Sequence, residues 1–223
     1  LASHLPEMRV LDIGVGGGRT TPFLAGVAKT YYGIDFSEEM IEGCKKKYGQ
    51  KYPAAKFDVC DVRDLSRFET AAFDLVLFSF NGIDNIAWEE RAAVLAELRR
   101  ICQTEGYFCF SSHNVLTLPG FFSYHFRLHP IKLAKNLLGT WRLRKKYKHL
   151  ISQLNTLDHT SIYDDVYDFG LFTCYVRPSY QAELLKATGF GNVRSFNQAG
   201  QELSEEACKI DESPWIYYLC QRS

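Results

Sequence analysis

Residues 9–19 read Arg9-Val10-Leu11-Asp12-Ile13-Gly14-Val15-Gly16-Gly17-Gly18-Arg19. The stretch begins as a β-branched and aliphatic run, which reads as a buried strand, and breaks into glycine, where the backbone can turn sharply and a ligand can approach closely. Thr20 or Thr21 is placed to cap a following helix, and Pro22 suits its first turn. A strand, a glycine loop and a helix N-terminus in that order predict the first βα turn of a nucleotide-binding α/β sheet.

The units that follow repeat the pattern. Thr30 to Phe36 reads as a second strand closing on Gly33-Ile34-Asp35, and Ser37 with Glu38 and Glu39 opens a helix by a cap and favourable first-turn acids. Lys56 to Cys60 is a third strand ending at Asp61, and Phe73 to Phe80 is a continuous apolar run of the kind buried on both faces of a parallel sheet. Asn81-Gly82 turns the chain outward. Trp88 to Cys102 gathers Val94, Leu95, Leu98 and Ile101 on one helical face, and Gly106 to Ser111 is the fifth strand. Asn114 to Asp168 is too long for a βα connection, so it reads as an insertion at the carboxyl end of the fifth strand, over the ligand crevice. Leu171 to Val176, a helix over Pro178 to Ala187, and strands near Val193 to Phe196 and Trp215 to Cys220 complete the chain. A single domain over residues 1–223 is expected, with the insertion at about 115–168.

The 223 residues carry 26 basic and 26 acidic side chains, so no overall polyanion-binding bias exists. Seven cysteines, an odd number with no C-x-x-C pair, argue against a zinc ribbon or a disulfide framework. There is no signal-peptide pattern and no apolar run of the roughly 18 residues a span needs, so a cytoplasmic protein is expected. The chain opens on Leu1 and reaches its first strand almost at once, so residues upstream are expected too.

The dinucleotide fingerprint G-x-G-x-x-G, read from Gly14 and Gly16, requires glycine where this chain has Arg19. D-x-G-x-G-x-G is met instead by Asp12, Gly14, Gly16 and Gly18. A carboxylate at the strand end would repel a diphosphate, and it suits a ligand with a positive centre and an amino group, such as S-adenosylmethionine. Asp35, at the end of the second strand, is placed either to accept hydrogen bonds from both hydroxyls of a ribose or simply to cap a helix.

Together these residues resemble the class I S-adenosylmethionine-dependent methyltransferase family. The matching pieces are Val10 to Arg19, Gly33 to Met40 and Asp58-Val59-Cys60-Asp61-Val62, with the Phe73 to Phe80 strand and the paired final strands. The resemblance implies a Rossmann-like, seven-stranded, mostly parallel α/β sheet whose last strand runs antiparallel, with helices on both faces and a lid-like insertion after strand five. It implies that Asp12, Gly14 and Gly16, within the loop that runs on through Gly18 and Arg19, lie beside the methionine portion of the cofactor, and that Asp35 holds its ribose. By the same resemblance Phe36 and Met40 flank the adenine, Asp61 and Val62 meet its edge, and Ser79 to Asn81 border the sulfonium. Met40 also reads as plain core on an apolar helix face, and Cys60 as a small buried residue.

Methyl transfer from a sulfonium is an in-line displacement with a strong leaving group, so the protein has to align, desolvate and, where needed, deprotonate the acceptor. Asn81, Asp84, Asn85, His113 and Asn114 cluster beyond strands four and five in the expected topology, with His113 the candidate general base and Asn81 and Asn114 beside it. His113 equally reads as a hydrogen-bonded histidine at a strand end, and His125, His129 and His159 are further candidates. The metal-dependent catechol-type branch of the family has an Asp-Asn pair where this chain has His113-Asn114, so no metal is expected.

From Gly106 to Leu157 there is no Asp or Glu, against eight Lys and Arg, so the rest of the chain carries a net charge of minus eight. Phe121, Phe122, Tyr124, Leu137, Leu138 and Trp141 are interleaved with that charge. The composition suits a lid over an anionic or aromatic small-molecule acceptor, or docking on an anionic membrane surface; the plain alternative packs the apolar groups inward and puts the charge in water. Nucleic acid is disfavoured because only Arg142 to Lys148 is dense in positive charge. Three functions compete: a methyltransferase producing S-adenosylhomocysteine, a non-catalytic cofactor-binding or membrane-associated module, and a nicotinamide-dependent oxidoreductase, against which Asp12 and Arg19 argue.

Overall fold

Five consecutive parallel strands carry the site. The structure is a computed structural model describing residues 2–124, 130–163 and 172–223. Strands β1 (Arg9–Ile13), β2 (Thr30–Asp35), β3 (Lys56–Val59), β4 (Phe73–Phe78) and β5 (Cys102–Asn114) pair in parallel, so their carboxyl ends share one edge of the sheet. Beyond a hairpin of β6 (His159–Tyr163) and β7 (Phe172–Val176) come β8 (Phe190–Phe196), β9 (Glu202–Leu203) and β10 (Trp215–Arg222). The order across the sheet is β3-β2-β1-β4-β5-β10-β8-β9, with β10 antiparallel to both β5 and β8. The first seven of these are the mostly parallel sheet with an antiparallel last strand expected above; β6, β7 and β9 are additions to it.

Helices cover both faces. On one side α1 (Thr21–Leu24) follows the glycine loop, and α2 (Glu38–Tyr48) buries Ile41, Cys44 and Tyr48 against Val10, Tyr31 and Phe57. Ser37 caps α2 by accepting the Met40 N–H, and Glu38 and Glu39 complement the positive end of its dipole. On the other side α3 (Trp88–Ile101) packs Val94, Leu95, Leu98 and Ile101 into a core shared with Leu11, Ile34, Phe108 and Phe110. Each such side chain contributes about 1.5–3 kcal/mol relative to exposure, so that face alone fixes α3 on the sheet.

Three boundaries differ from the sequence reading. Strand β4 stops at Phe78 rather than Phe80, because Phe80 and Asn81 both take left-handed backbone (φ +55° and +56°). Strand β5 starts at Cys102, directly after α3, passes a register shift against β4, and runs on to Asn114. The strand expected at Leu171 to Val176 is not part of the main parallel series. Leu171 lies outside the described residues, while β7 pairs with β6 and with only the tip of β5, at His113 and Asn114.

Between β5 and β7 the chain forms α4 (Leu118–Phe121), α5 (Pro130–Lys146) and α6 (Lys148–Ile151) before β6. These elements have a small core of their own, with Val115, Leu118, Phe122, Leu143, Leu154, Ile162 and Tyr175. His159 of β6 stacks on Trp88 at the start of α3, ring centroids 3.7 Å apart, and lies beside Tyr180 of α7 (Pro178–Ala187). His125, His129 and Asp168 lie outside the described residues.

Candidate active site

The glycine loop supplies backbone, not side chains. Gly14, Gly16 and Gly18 all sit at positive φ (+64°, +51° and +74°), which L-residues with a Cβ adopt only at a cost. Gly16 donates its N–H to Asp35 Oδ2 at 2.9 Å, and Ser37 donates to Oδ1 at 3.0 Å, so one carboxylate ties the loop of β1 to the end of β2. Each of those oxygens keeps lone-pair capacity for a further donor. At Gly18 a Cβ would come within 2.3 Å of the Tyr48 ring, so this glycine lets the loop pack on α2.

A cleft of about 390 Å³ opens at the carboxyl ends of β1, β2, β3 and β4. Of the residues singled out by sequence, Gly14, Asp35, Phe36, Asp61, Val62, Ser79 and Asn85 line it, as does Cys60, which is only partly buried. Phe36 is 78% exposed, an apolar ring left open beside a carboxylate. Met40 is half exposed on the first turn of α2 and does not line the cleft, nor does Gly16 or Gly18. Arg19 sits at the rim, its guanidinium 3.7 Å above the centre of the Phe80 ring.

Asp12 lies beneath the loop rather than on the cleft wall. Alternation along β1 sends Leu11 and Ile13 to one side of the sheet and Asp12 to the other. There Oδ2 accepts from the hydroxyls of Thr20 and Tyr31, and Oδ1 has no partner among the described residues. Burial pushes the carboxyl up to about 6, against the pull of those two hydrogen bonds, and burial with the nearby carboxylate lifts the Tyr31 phenol above its ordinary range.

Asp61 is held by a residue the sequence reading did not single out. Arg63 chelates it with Nε and Nη2 and also donates its backbone N–H at 2.9 Å. The guanidinium holds the Asp61 carboxyl below its usual range. The signal available in sequence is the Asp-x-Arg spacing directly after a strand.

Past the end of β4 the polar residues assemble around Asp84. This fully buried carboxylate receives Arg91 Nη2 at 2.5 Å and Ser112 Oγ at 2.7 Å on Oδ1; Oδ2 receives the backbone N–H of His113 at 2.6 Å and stands 2.9 Å from His113 Nδ1. With Nδ1 donating to the carboxylate, Nε2 carries the lone pair, and the Asn81 amide lies 3.2 Å from it. Asn81 is flanked by Phe80 and Gly82, both on the cleft wall, so His113 reaches the cleft edge through one side chain. The Asn114 amide faces away: Nδ2 donates to the carbonyls of Asp211 and Ser213, and Oδ1 accepts from Leu116 N–H. That side chain is completely buried and anchors the segment before β10. His159 stacks on Trp88 and does not line the cleft, and burial lowers its affinity for a proton. Among the described residues no three His, Cys, Asp or Glu side chains gather as ligands for a metal ion.

Residues 10–106 match the sequence profile of a methyltransferase-domain family. A curated relative, the ubiquinone biosynthesis O-methyltransferase of Thiobacillus denitrificans, is 26% identical over 110 residues, a match covering 49% of this chain and 46% of that protein. The chain thus spans less than half the length of that relative. Among solved structures, an S-adenosylmethionine-dependent methyltransferase of Mesorhizobium loti superimposes with a TM-score of 0.69 at 14% identity, covering 98% of this chain and 93% of the other. A 1,6-didemethyltoxoflavin-N1-methyltransferase of Burkholderia thailandensis, solved with 1,6-didemethyltoxoflavin and S-adenosylhomocysteine, gives 0.63 at 15% identity, covering all of this chain and 76% of that one. At these identities the structural matches speak to the fold.

Proposed function

We infer that this chain, a member of the class I S-adenosylmethionine-dependent methyltransferases by its fold and by the sequence of residues 10–106, transfers a methyl group to an oxygen or nitrogen atom of a small-molecule acceptor. The observation that carries this reading is the His113–Asp84 pair beside a cleft walled by Gly14, Asp35 and Asp61.

The cleft's chemistry fits the cofactor. A glycine bend without side chains leaves room for close approach, Asp35 offers a carboxylate to ribose hydroxyls, Phe36 and Val62 offer apolar surface to a purine, and Asp61, fixed as an anion by Arg63, accepts from its edge. Asp12 contributes negative charge below the loop, with one oxygen unpartnered among the described residues. When bound, the sulfonium cofactor supplies an activated methyl group and a neutral thioether leaving group.

The protein's own share is to orient the acceptor and take its proton. Asp84, locked by Arg91 and Ser112, fixes the His113 tautomer so that Nε2 is the basic atom. Asn81 holds that lone pair with its amide in the resting state and has a carbonyl oxygen without a partner among the described residues, ready to accept from the imidazolium once the proton has arrived and the amide has turned. Phe80 and Ile86 give the cleft apolar wall. An acceptor with an acidic hydroxyl, such as a phenol, matches a neutral imidazole base.

The experiment is a two-part assay. S-adenosylmethionine should raise the melting temperature of the protein, and transfer of a labelled methyl group to a panel of phenols and heteroaromatic amines should depend on His113. A folded protein with no thermal shift from the cofactor would overturn the reading.

A further inference from the structure

Helix α5 is amphipathic in the wrong sense for a helix that only covers a core. Leu143 and Thr140 are buried on its inner side, while Leu137, Leu138 and Trp141 point outward at 41%, 48% and 51% exposure. Their i, i+1, i+4 spacing places them on one stripe. Tyr124 continues the apolar area beside the helix, with the Arg144 guanidinium 5.6 Å from its ring centre, and is itself 53% exposed.

The same stripe is edged by positive charge. Arg142 is exposed, Lys145 lies over Trp141 at 5.3 Å from the ring centre, and Lys148 is exposed at the start of α6. Among the described residues, none of the ion pairs involves Arg142, Lys145 or Lys148. Nothing acidic occurs in the sequence from Gly106 to Leu157, so charge of one sign dominates the whole segment.

We propose that this face of α5, with the start of α6, docks on the surface of an anionic lipid bilayer, with Leu137, Leu138 and Trp141 entering the interface and Arg142, Lys145 and Lys148 meeting the headgroups. Apolar and indole side chains on one stripe with basic residues alongside are what an interfacial helix requires. A second copy of the chain is a poor occupant, because a two-fold contact would bring the basic edge against itself. Nucleic acid is poor as well, since leucines at the centre of the face give a phosphate backbone nothing to bind. The proposal rests on this surface alone and stands or falls separately from the chemistry assigned to the cleft.

Co-sedimentation with vesicles of phosphatidylcholine alone, and of phosphatidylcholine mixed with phosphatidylglycerol, tests it on the full chain. Binding is expected to the mixed vesicles only, and to weaken as salt rises from about 0.1 to 0.5 M. Trp141 emission should shift to the blue on binding, and Trp141→Phe should remove the shift. Lys145→Gln with Lys148→Gln should lower the partition coefficient about fivefold per charge lost, and Leu138→Glu with Trp141→Glu should abolish binding while the melting temperature is kept. Equal binding to both vesicle types, or none, overturns the proposal without need of any variant. So does a dimer that Leu138→Glu converts to monomer, which assigns the face to a second copy, or retention on DNA that the same substitution leaves unchanged.

Discussion

His113 and Asp84 are joined twice, through the imidazole Nδ1 at 2.9 Å and through the backbone N–H at 2.6 Å, both on one carboxylate oxygen. The double contact sets the ring's orientation and its tautomer together. His113→Gln should therefore lower kcat by about 10²- to 10⁴-fold for an acceptor that must lose a proton, with cofactor affinity unchanged. Steady-state kinetics paired with calorimetric titration of the cofactor checks this; a parallel loss of cofactor affinity would make His113 a support of the cleft instead.

Asp35→Ala removes the acceptor for two backbone donors, Gly16 N–H and Ser37 N–H, as well as the proposed ribose contact. With about 1–1.5 kcal/mol per hydrogen bond lost, cofactor affinity should fall roughly 30-fold or more. The cofactor-induced rise in melting temperature should shrink accordingly.

Asp12 gives a pH prediction. Its carboxyl is raised from 3.8 to about 6 in the folded chain, so the folded state holds a proton that the unfolded state has already lost between those values. Stability from this group is full below pH 3.8 and is lost as pH rises through about 6, a change on the order of 3 kcal/mol. Asp12→Asn keeps an oxygen for Thr20 and Tyr31 and carries no charge. It should flatten the stability curve between pH 4 and 7 while weakening the cofactor, measured by urea unfolding across pH and by titration at pH 7.5.

Gly18→Ala should be destabilising by about 2 kcal/mol or more, since the residue sits at φ +74° and the new methyl meets the Tyr48 ring. A fall of several degrees in melting temperature is expected for a chain of this length, roughly 2–4 °C per kcal/mol. An unchanged melting temperature would mean that the loop repacks away from α2.

Asn114 separates support from chemistry. Asn114→Ala strands the carbonyls of Asp211 and Ser213 and the N–H of Leu116, at a cost of about 1–3 kcal/mol. Turnover per folded molecule should hold steady, and a specific loss of kcat at full folding would return Asn114 to the reacting centre.

The parallel core of the fold was legible because its signals are local. A strand that breaks into glycine at Gly14, and strands that end on Asp35 and Asp61, each announce themselves within a few residues. Arg63 and Asp84 were harder to weigh because their importance lies in partners: Arg63 acts through a turn onto Asp61, and Asp84 through contacts with Arg91 from α3 and Ser112 and His113 from β5. Asn114 shows the converse. Its neighbour in sequence faces Asn81 at the cleft edge, yet strand alternation turns Asn114 toward the segment before β10. The end of β4 was misjudged for a different reason, since Phe80 has the composition of a strand residue and its left-handed backbone is imposed by the turn around it.

The ring stack of Trp88, His159 and Tyr180 fixes one foot of the insertion. It rivets the foot of β6 to α3 and α7, and β7 is zipped to the tip of β5 next to the imidazole. The insertion is thereby anchored at its carboxyl end beside His113, while α4, α5 and α6 pack on a small core of their own. The imidazole therefore sits where the insertion is held most firmly to the sheet.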